Sequence, residues 1–368
     1  MRLEKLDIVN FKNIEEASLD FSPGVNCLLG MNGMGKSNLL EAIHFICLAR
    51  TMQTIPESAL PRHGSDMLMV KGEFTMDSGA TESVSCGVVK GKGKSLKCNG
   101  KEYQRISEHI GRFPVVTVTP ADQTLVSGSG EERRKLMDMV ISQADKSYLS
   151  HLIRYNRSLE SRNRMLRAGV KDTLLYESVE SGMAEASDAI HRTRAAWVEE
   201  ILPDFRARYS EISGDAEKAS LRYSSSLNEM PLRELLDRSR QKDHALGFTS
   251  KGVHRDDILT GLGDYSMRRL GSQGQVKTFT IALRLAIFAY LRKKSGLTPI
   301  LLLDDIFDKL DSARVGRIME MVSGGESFGQ IFITDTNREH LDEILAPIHG
   351  ESRLFSVSHG KFEPAVTT

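Results

Sequence analysis

The sequence has no net charge, no paired cysteines, no internal repeat, no low-complexity tract and no long apolar run. Lysine plus arginine and aspartate plus glutamate each number 49 in 368 residues, so total charge points to no nucleic-acid or membrane-surface partner, and any such partner must be sought in local patches. The longest apolar run, Leu285 to Leu291, sits inside a charged segment and is far too short to cross a bilayer. The first residues, MRLEKLDIVNF, alternate like a strand and carry no apolar targeting core. A cytoplasmic location without a membrane partner is therefore expected. Cys27, Cys47, Cys86 and Cys98 are scattered with no CxxC spacing, which argues against zinc or a disulfide framework and for reduced structural thiols. What remains is 40% hydrophobic and 27% charged, ordinary for a globular chain long enough for two cores.

Short strand-like runs dominate the first part of the chain: Leu3 to Val9, Ala17 to Phe21, Val25 to Leu29, Met67 to Thr75, Glu82 to Val89 and Val115 to Thr119. A helix starting at Lys36 interrupts them. From Gly130 to Ile212 the pattern changes to long charged stretches with apolar residues three or four apart, as a helical segment requires. Strand and helix alternate again from Val253: strand Ile258 to Leu262, helix Gln275 to Arg292, strand Pro299 to Leu303, helix Ala313 to Met321, strand Gln330 to Thr334. The order fits an α/β layer built from residues 1–128 and 250–368, with a mostly helical lobe, 129–249, inserted between its halves.

Three motifs carry chemistry. GMNGMGKSN matches G-x-x-x-x-G-K-[ST] at Gly30, Gly35, Lys36 and Ser37, and it stands between the apolar strand VNCLLG and the amphipathic helix KSNLLEAIHF, the context that gives the pattern meaning. Met31, Asn32, Gly33, Met34 and Asn38 complete the loop through their backbone amides, Lys36 is expected to neutralise β- and γ-phosphate oxygens, and Ser37 to ligate Mg2+. In ILLLDDIFDKLD, an apolar strand delivers Asp304 to the carboxyl end of the sheet as the second metal-binding group. Asp305 follows as the group that orients, or takes a proton from, the attacking water. Asp308 and Asp311 lie in the next turn, as helix caps or, for Asp311, at an interface. LGSQGQ precedes a long helix, and Ser272, Gln273, Gly274 and Gln275 make a second anion-binding helix start. One P-loop already wraps a triphosphate. The second start is therefore expected to face the nucleotide held by another copy, giving a symmetric dimer with ATP between its subunits.

This order of P-loop, signature turn and double-acid strand resembles the ABC-type ATPase heads. The stretch from Gly30 to Asp304 is too long for a compact transporter ATPase and too short for an SMC protein with its coiled coil. More closely, the chain resembles the RecF family of bacterial recombination mediators, through its first 50 residues, TPADQTLVSGSGEERRKLMD, YNRSLESRN, VHRDDI, GSQGQVKTFTIALRLA and ILLLDDIFDKLD. The resemblance implies an ATP-dependent DNA-binding protein that dimerises on ATP, hydrolyses it slowly under DNA stimulation, and works with RecO and RecR to place RecA at gapped DNA. Asp305 departs from the glutamate usual in ABC heads and is one methylene shorter, which implies slow turnover. No switch histidine follows the last core strand; Asp335 or Thr336 stands there. The competing functions are a permease-docked transport ATPase, which the long insertion opposes, and a nucleotide-gated DNA clamp with incidental hydrolysis.

Two basic patches are candidates for tracking DNA phosphates. Residues 90 to 101 hold five lysines and no acid, with Lys92, Lys94 and Lys97 on a hairpin; residues 146 to 171 hold seven lysines or arginines, among them Arg154, Arg157, Arg162 and Arg164, against Glu160 alone. Those arginines spread around the helix, so internal ion pairing competes with DNA contact. Arg133 and Arg134 read as structural ion pairs and His254 as hydrogen-bonded scaffold. Lys12 and Gln123 are open between nucleotide contacts and surface residues.

Overall fold

A strand covered on both faces must be apolar throughout, whereas one covered on a single face alternates, and this chain uses both kinds. The computed structural model describes residues 1–52, 55–214, 218–307, 310–323, 328–345 and 351–365. The chain divides into two units, Met1–Ala121 with Ile287–Thr368, and Asp122–Ala286. In chain order the first unit supplies β1 (Arg2–Phe11), β2 (Ile14–Asp20), β3 (Val25–Leu29), α1 (Lys36–Leu48), β4 (Met67–Thr75), β5 (Thr81–Val89), β6 (Gly93–Cys98), β7 (Lys101–Glu102) and β8 (Val115–Val118). The second supplies α2 (Thr124–Ser127), α3 (Gly130–Ala144), α4 (Lys146–Arg167), α5 (Thr173–Ser213), β9 (Ala219–Ser224), α6 (Leu232–Leu246), β10 (Asp257–Leu262), β11 (Tyr265–Ser266) and α7 (Met267–Leu270). Helix α8 (Gln273–Ser295) runs from the second unit into the first, which ends with β12 (Ile300–Asp304), α9 (Ser312–Ser323), β13 (Ile331–Asp335), α10 (Arg338–Leu345), β14 (Ser352–Ser358) and β15 (Lys361–Ala365).

Two sheets form the first unit. One is antiparallel in the order β2-β1-β4-β5-β6-β7; the other, β15-β14-β3-β13-β12-β8, is parallel except at the β14/β15 hairpin. The central strands ILLLD and IFITD are buried at every position, as a doubly covered sheet demands. Helix α1 contacts β1, β4 and β5 of one sheet and β8, β12 and β13 of the other, and therefore buries residues nearly all round, Leu39 through Leu48. Phe21 packs edge-on against Phe332, centroids 4.9 Å apart. The buried Gln330 side chain bridges the two sheets: its amide donates to the carbonyls of Leu3 and Ser22, both at 2.8 Å, and its oxygen accepts the Leu3 N–H. All four cysteines are buried free thiols.

In the second unit α4 and α5 pair lengthwise with Tyr148, Tyr155 and Trp197 buried, Phe205 and Tyr209 of α5 pack against Phe279 of α8, and β11-β10-β9 form a small antiparallel sheet. Residues 250–286, joined to the ATPase half on sequence grounds, fall in this unit, where the β9–β10 ladder holds them. The core here is unusually ionic. Arg194 donates to the Val253 carbonyl (2.7 Å), Asp256 (2.9 Å) and Asp138 (2.8 Å). Arg133 pairs with Asp257 and Arg134 donates to the Asp256 carbonyl, so both are structural, though their partners lie across the fold and the adjacent Glu131 and Glu132 pair with Lys135 instead. His254 is scaffold: Nδ1 lies 2.7 Å from the Tyr155 hydroxyl and Nε2 2.9 Å from the Thr249 carbonyl, and burial pushes its pKa down to about 4.

Arg162 must be corrected from a DNA contact to a core residue. It is fully buried, donating to Glu180 (2.8 Å), Asp243 (2.8 Å) and Thr249 (2.9 Å). Removing it leaves the buried Asp243 with only neutral donors, Ser239 and Ser250, and Glu180 with Arg240 as its remaining cation. Arg162→Ala should destabilise the second unit by about 3–5 kcal/mol, whereas Arg157→Ala, at an exposed position, should stay within about 0.5 kcal/mol; urea denaturation followed by circular dichroism measures both.

Candidate functional site

Parallel pairing sets the site. In register, Asp304 stands opposite Thr334, and Thr334 and Asp335 stand opposite Leu28 and Leu29, so the residues that follow β3, β12 and β13 emerge together at the carboxyl edge of the sheet, where open α/β sheets bind ligands. The loop leaving β3 disfavours side chains at three points. A Cβ on Gly30 would lie 2.4 Å from the Val357 carbonyl oxygen; Gly33 and Gly35 take φ of 79° and 117°, the left-handed region; and Gly35 lies against Asn13. The loop is also clamped from outside. Asn38 donates to the Asn13 side-chain oxygen (2.7 Å), Asn13 reaches the Gly33 carbonyl, and the Gly360 N–H from the β14/β15 turn donates to the Met34 carbonyl (2.7 Å). Met31, Asn32 and Gly33 face solvent.

Helix α1 begins at this loop with no side-chain cap and no acid in its first turn, leaving its positive end for an anion. The Lys36 side chain is buried and its ammonium donates to the carbonyls of Gly30 and Met31. Burial lowers its pKa against the upward pull of Asp305, Asp304 and Asp335. Ser37 Oγ donates to Asp304 Oδ1 at 2.8 Å, and Thr334 Oγ1 donates to the same oxygen at 2.9 Å. The Asp304 carboxyl sits above its ordinary pKa because it is buried, against the lowering pull of those two hydroxyls. Among the described residues no three acidic, histidine or cysteine side chains cluster to cage a metal. The donor set is one hydroxyl and one carboxylate beside a phosphate-type loop, which suits Mg2+ held jointly by protein, phosphate and water.

Asp305 adopts φ of 49°, and its N–H donates to Thr334 Oγ1 at 2.9 Å. Thr334 therefore links both aspartates, accepting from one backbone and donating to the other's carboxylate. Asp335 is buried and accepts the Asn337 N–H at 2.9 Å; Thr336 is exposed. At the signature turn, Ser272 N–H donates to Gln275 Oε1 (2.8 Å) and Gln275 N–H to Ser272 Oγ (3.3 Å), a reciprocal capping box at the start of α8. Ser272 and Gln273 are exposed, Gly274 and Gln275 half-buried. Asp311 caps α9 through the Arg314 N–H (3.0 Å), and Asp308 lies outside the described residues. Lys12 is tied to the buried Glu41 at 2.8 Å. Gln123 is exposed in a short turn beside Asp122, which forms a buried ion pair with Arg284.

Of the basic candidates, Lys92 and Lys97 are exposed on the β5/β6 hairpin. Lys94 is corrected: its side chain is only 8% exposed, with the ammonium donating to the Ala49 carbonyl at 2.7 Å and pairing with Glu57. Arg157 and Arg164 are exposed, and Arg154 pairs with Glu185 at 2.8 Å on the surface. Sequence reasoning missed Thr334, Asn13 and Gly360. A hydroxyl at the end of an apolar strand directly before Asp335, and the HG turn between the alternating runs RLFSVS and KFEPA, were the available signals.

Residues 2–353 match the family described as RecF/RecN/SMC N terminal domain. A "DNA replication and repair protein RecF" from Porphyromonas gingivalis is 49% identical over 98% of this chain and 99% of its own length, and one from Phocaeicola vulgatus is 45% identical over 98% of each. The chain belongs to the RecF family. The recombination mediator protein RecF, solved as RecF-ATP, superposes with a TM-score of 0.88 at 28% identity, covering 99% of this chain and 97% of that one. An Smc head shares the fold at a TM-score of 0.58 and 16% identity. The ABC-type ATPase head expected from the motifs is thus the fold of this RecF-family chain.

The strained Asp305 backbone gives a test independent of catalysis. A left-handed residue with a Cβ is strained by about 1 kcal/mol relative to glycine. Asp305→Gly should therefore be more stable than Asp305→Ala by about that amount in urea denaturation, an order that a relaxed backbone would reverse.

Proposed function

We propose that this chain is an ATP-dependent DNA-binding protein of recombinational repair, an ATPase that closes into a dimer when ATP is bound. The observation that carries this reading is the Ser37–Asp304–Thr334 node beside the P-loop. It supports the reading because a hydroxyl and a carboxylate beside a phosphate-type loop suit a divalent ion, and because a solved RecF described with ATP shares the fold.

In this reading, amides of residues 30–38 surround the β-phosphate and the Lys36 ammonium moves from the Gly30 and Met31 carbonyls to phosphate oxygens. Ser37 and Asp304 would hold Mg2+, which would supply positive charge against the triphosphate. Asp305, its backbone fixed by Thr334, orients the attacking water and accepts its proton. The shorter carboxylate reaches less far than a glutamate would, which agrees with slow turnover. Asp335 or Thr336 reads the γ-phosphate. Ser272, Gln273, Gly274 and Gln275, already ordered by their capping box, meet the nucleotide of the partner subunit, and Asp311 lies at that interface. Residues 1–128 and 250–368 supply this machinery and 129–249 the helical lobe.

DNA, gapped or duplex, is tracked through phosphates by Lys92, Lys97, Arg154, Arg157 and Arg164, with RecR, RecO and ultimately RecA as partners. In this reading the work on DNA is cytoplasmic; among the described residues no helix is long and apolar enough to cross a membrane. Light scattering with ATP and Mg2+ tests the proposal. The parent chain should double in mass, and Ser272→Arg should still bind ATP yet remain monomeric. Asp305→Asn should dimerise and lose turnover by at least about 100-fold. Saturation with nucleotide at unchanged mass would contradict the proposed dimer.

A further inference from the structure

Exposed large apolar side chains scattered singly are ordinary, but four of them gather at one end of the helical unit. Leu174 is 74% and Leu175 52% exposed at the start of α5; Leu246, the last residue of α6, is 45% exposed and Phe248, just past it, 38%. Three contacts bring these segments together. Tyr176 packs edge-on against His244 with centroids 5.5 Å apart, Gly247 lies against the Arg167 side chain at the end of α4, and the Thr249 N–H donates to Asn163 at 2.8 Å. Gly247 turns the chain at φ of 72°, so α6 stops there and Phe248 is left beside the tip, with the Arg255 guanidinium 5.3 Å from its ring centroid.

The charge around this apolar group is mainly positive. Arg167, Lys171 and Lys242 are exposed, and none has an acidic partner among the described residues. Of the nearby acids, Asp243 is buried on Arg162, while Asp172, which caps α5 through the N–H groups of Leu174 and Leu175, and Glu177 are exposed, two acids against the three cations. A duplex would satisfy the cations but leave the leucines without apolar contacts. A neutral apolar partner would leave the cations unanswered.

We infer that the tip formed by the end of α4, the start of α5 and the end of α6 is a docking surface for a partner protein, and that the segment it receives is acidic and amphipathic. The partner's apolar side chains cover Leu174, Leu175 and Phe248, while its carboxylates pair with Arg167, Lys171 and Lys242 at the rim, the arrangement of an apolar centre with a charged border usual in protein interfaces. The surface needs neither bound nucleotide nor dimerisation.

A labelled synthetic helical peptide with leucines on one face and glutamates on the other, added to the full chain without ATP, tests this by fluorescence anisotropy at low salt and at about 0.15 M salt. The parent chain should bind it. Leu174→Ser with Leu175→Ser, and separately Arg167→Glu with Lys171→Glu, should each weaken binding at least about tenfold, and a peptide with glutamine for glutamate should bind as weakly. All four positions are exposed, so circular dichroism and melting should match the parent; the charge-reversal pair, which keeps the apolar contacts, stands as the second variant. No binding to the parent, equal binding to either variant, or loss of duplex DNA binding with peptide binding intact would overturn the inference, the last by assigning the tip to DNA.

Discussion

One carboxylate oxygen organises the first unit. Asp304 Oδ1 accepts from Ser37, in the first turn of helix α1, and from Thr334, next to the end of strand β13. It thereby joins the P-loop helix, the acidic strand and the strand between them. Burying a carboxylate is unfavourable unless it is hydrogen-bonded, and burial, with Asp305 beside it, holds the Asp304 carboxyl above its ordinary range against the pull of the two hydroxyls. A buried acid held this way suits a metal ion, whose charge would restore what burial removes. Thr334 also fixes Asp305 in a left-handed conformation. Backbone strain of this kind persists where the surroundings over-determine it and is concentrated at functional sites.

The parts of this site that were legible in the sequence are those whose chemistry is local. GMNGMGKS between an apolar strand and a helix fixes a loop, and four apolar residues before DD fix a buried strand end, because a strand covered on both faces has little freedom in composition. The hydroxyl of Thr334 at a strand end was visible but its role was not, since that role arises only when β13 lies between β3 and β12, a matter of strand order and not of spacing. The same holds for Gly360, which reaches the P-loop from the far end of the chain. The left-handed backbone at Asp305 has no compositional mark, as aspartate tolerates that conformation without requiring it.

The charged residues show the limit most clearly. Arg162 and Arg164 lie two apart in one helix with similar neighbours in sequence, yet the first is wholly buried on Glu180 and Asp243 and the second faces solvent. A helix face can be read from periodicity only when apolar residues mark it, and α4 buries arginine and tyrosine together. Lys94 was drawn inward by a backbone carbonyl and a glutamate from a distant loop. Counting basic residues therefore overstated both DNA patches, and the ionic core of the helical unit absorbed part of the difference.

The most direct test of the account is the Mg2+ dependence of ATP binding, measured by isothermal titration calorimetry on the parent chain and on Asp304→Asn, with and without chelator. The parent should bind ATP more tightly with Mg2+ than without it, and Asp304→Asn should lose that difference while keeping metal-free affinity through Lys36 and the loop amides. A variant whose affinity still rises with Mg2+ as the parent's does would show that the metal is held elsewhere and that the Asp304 node is structural only.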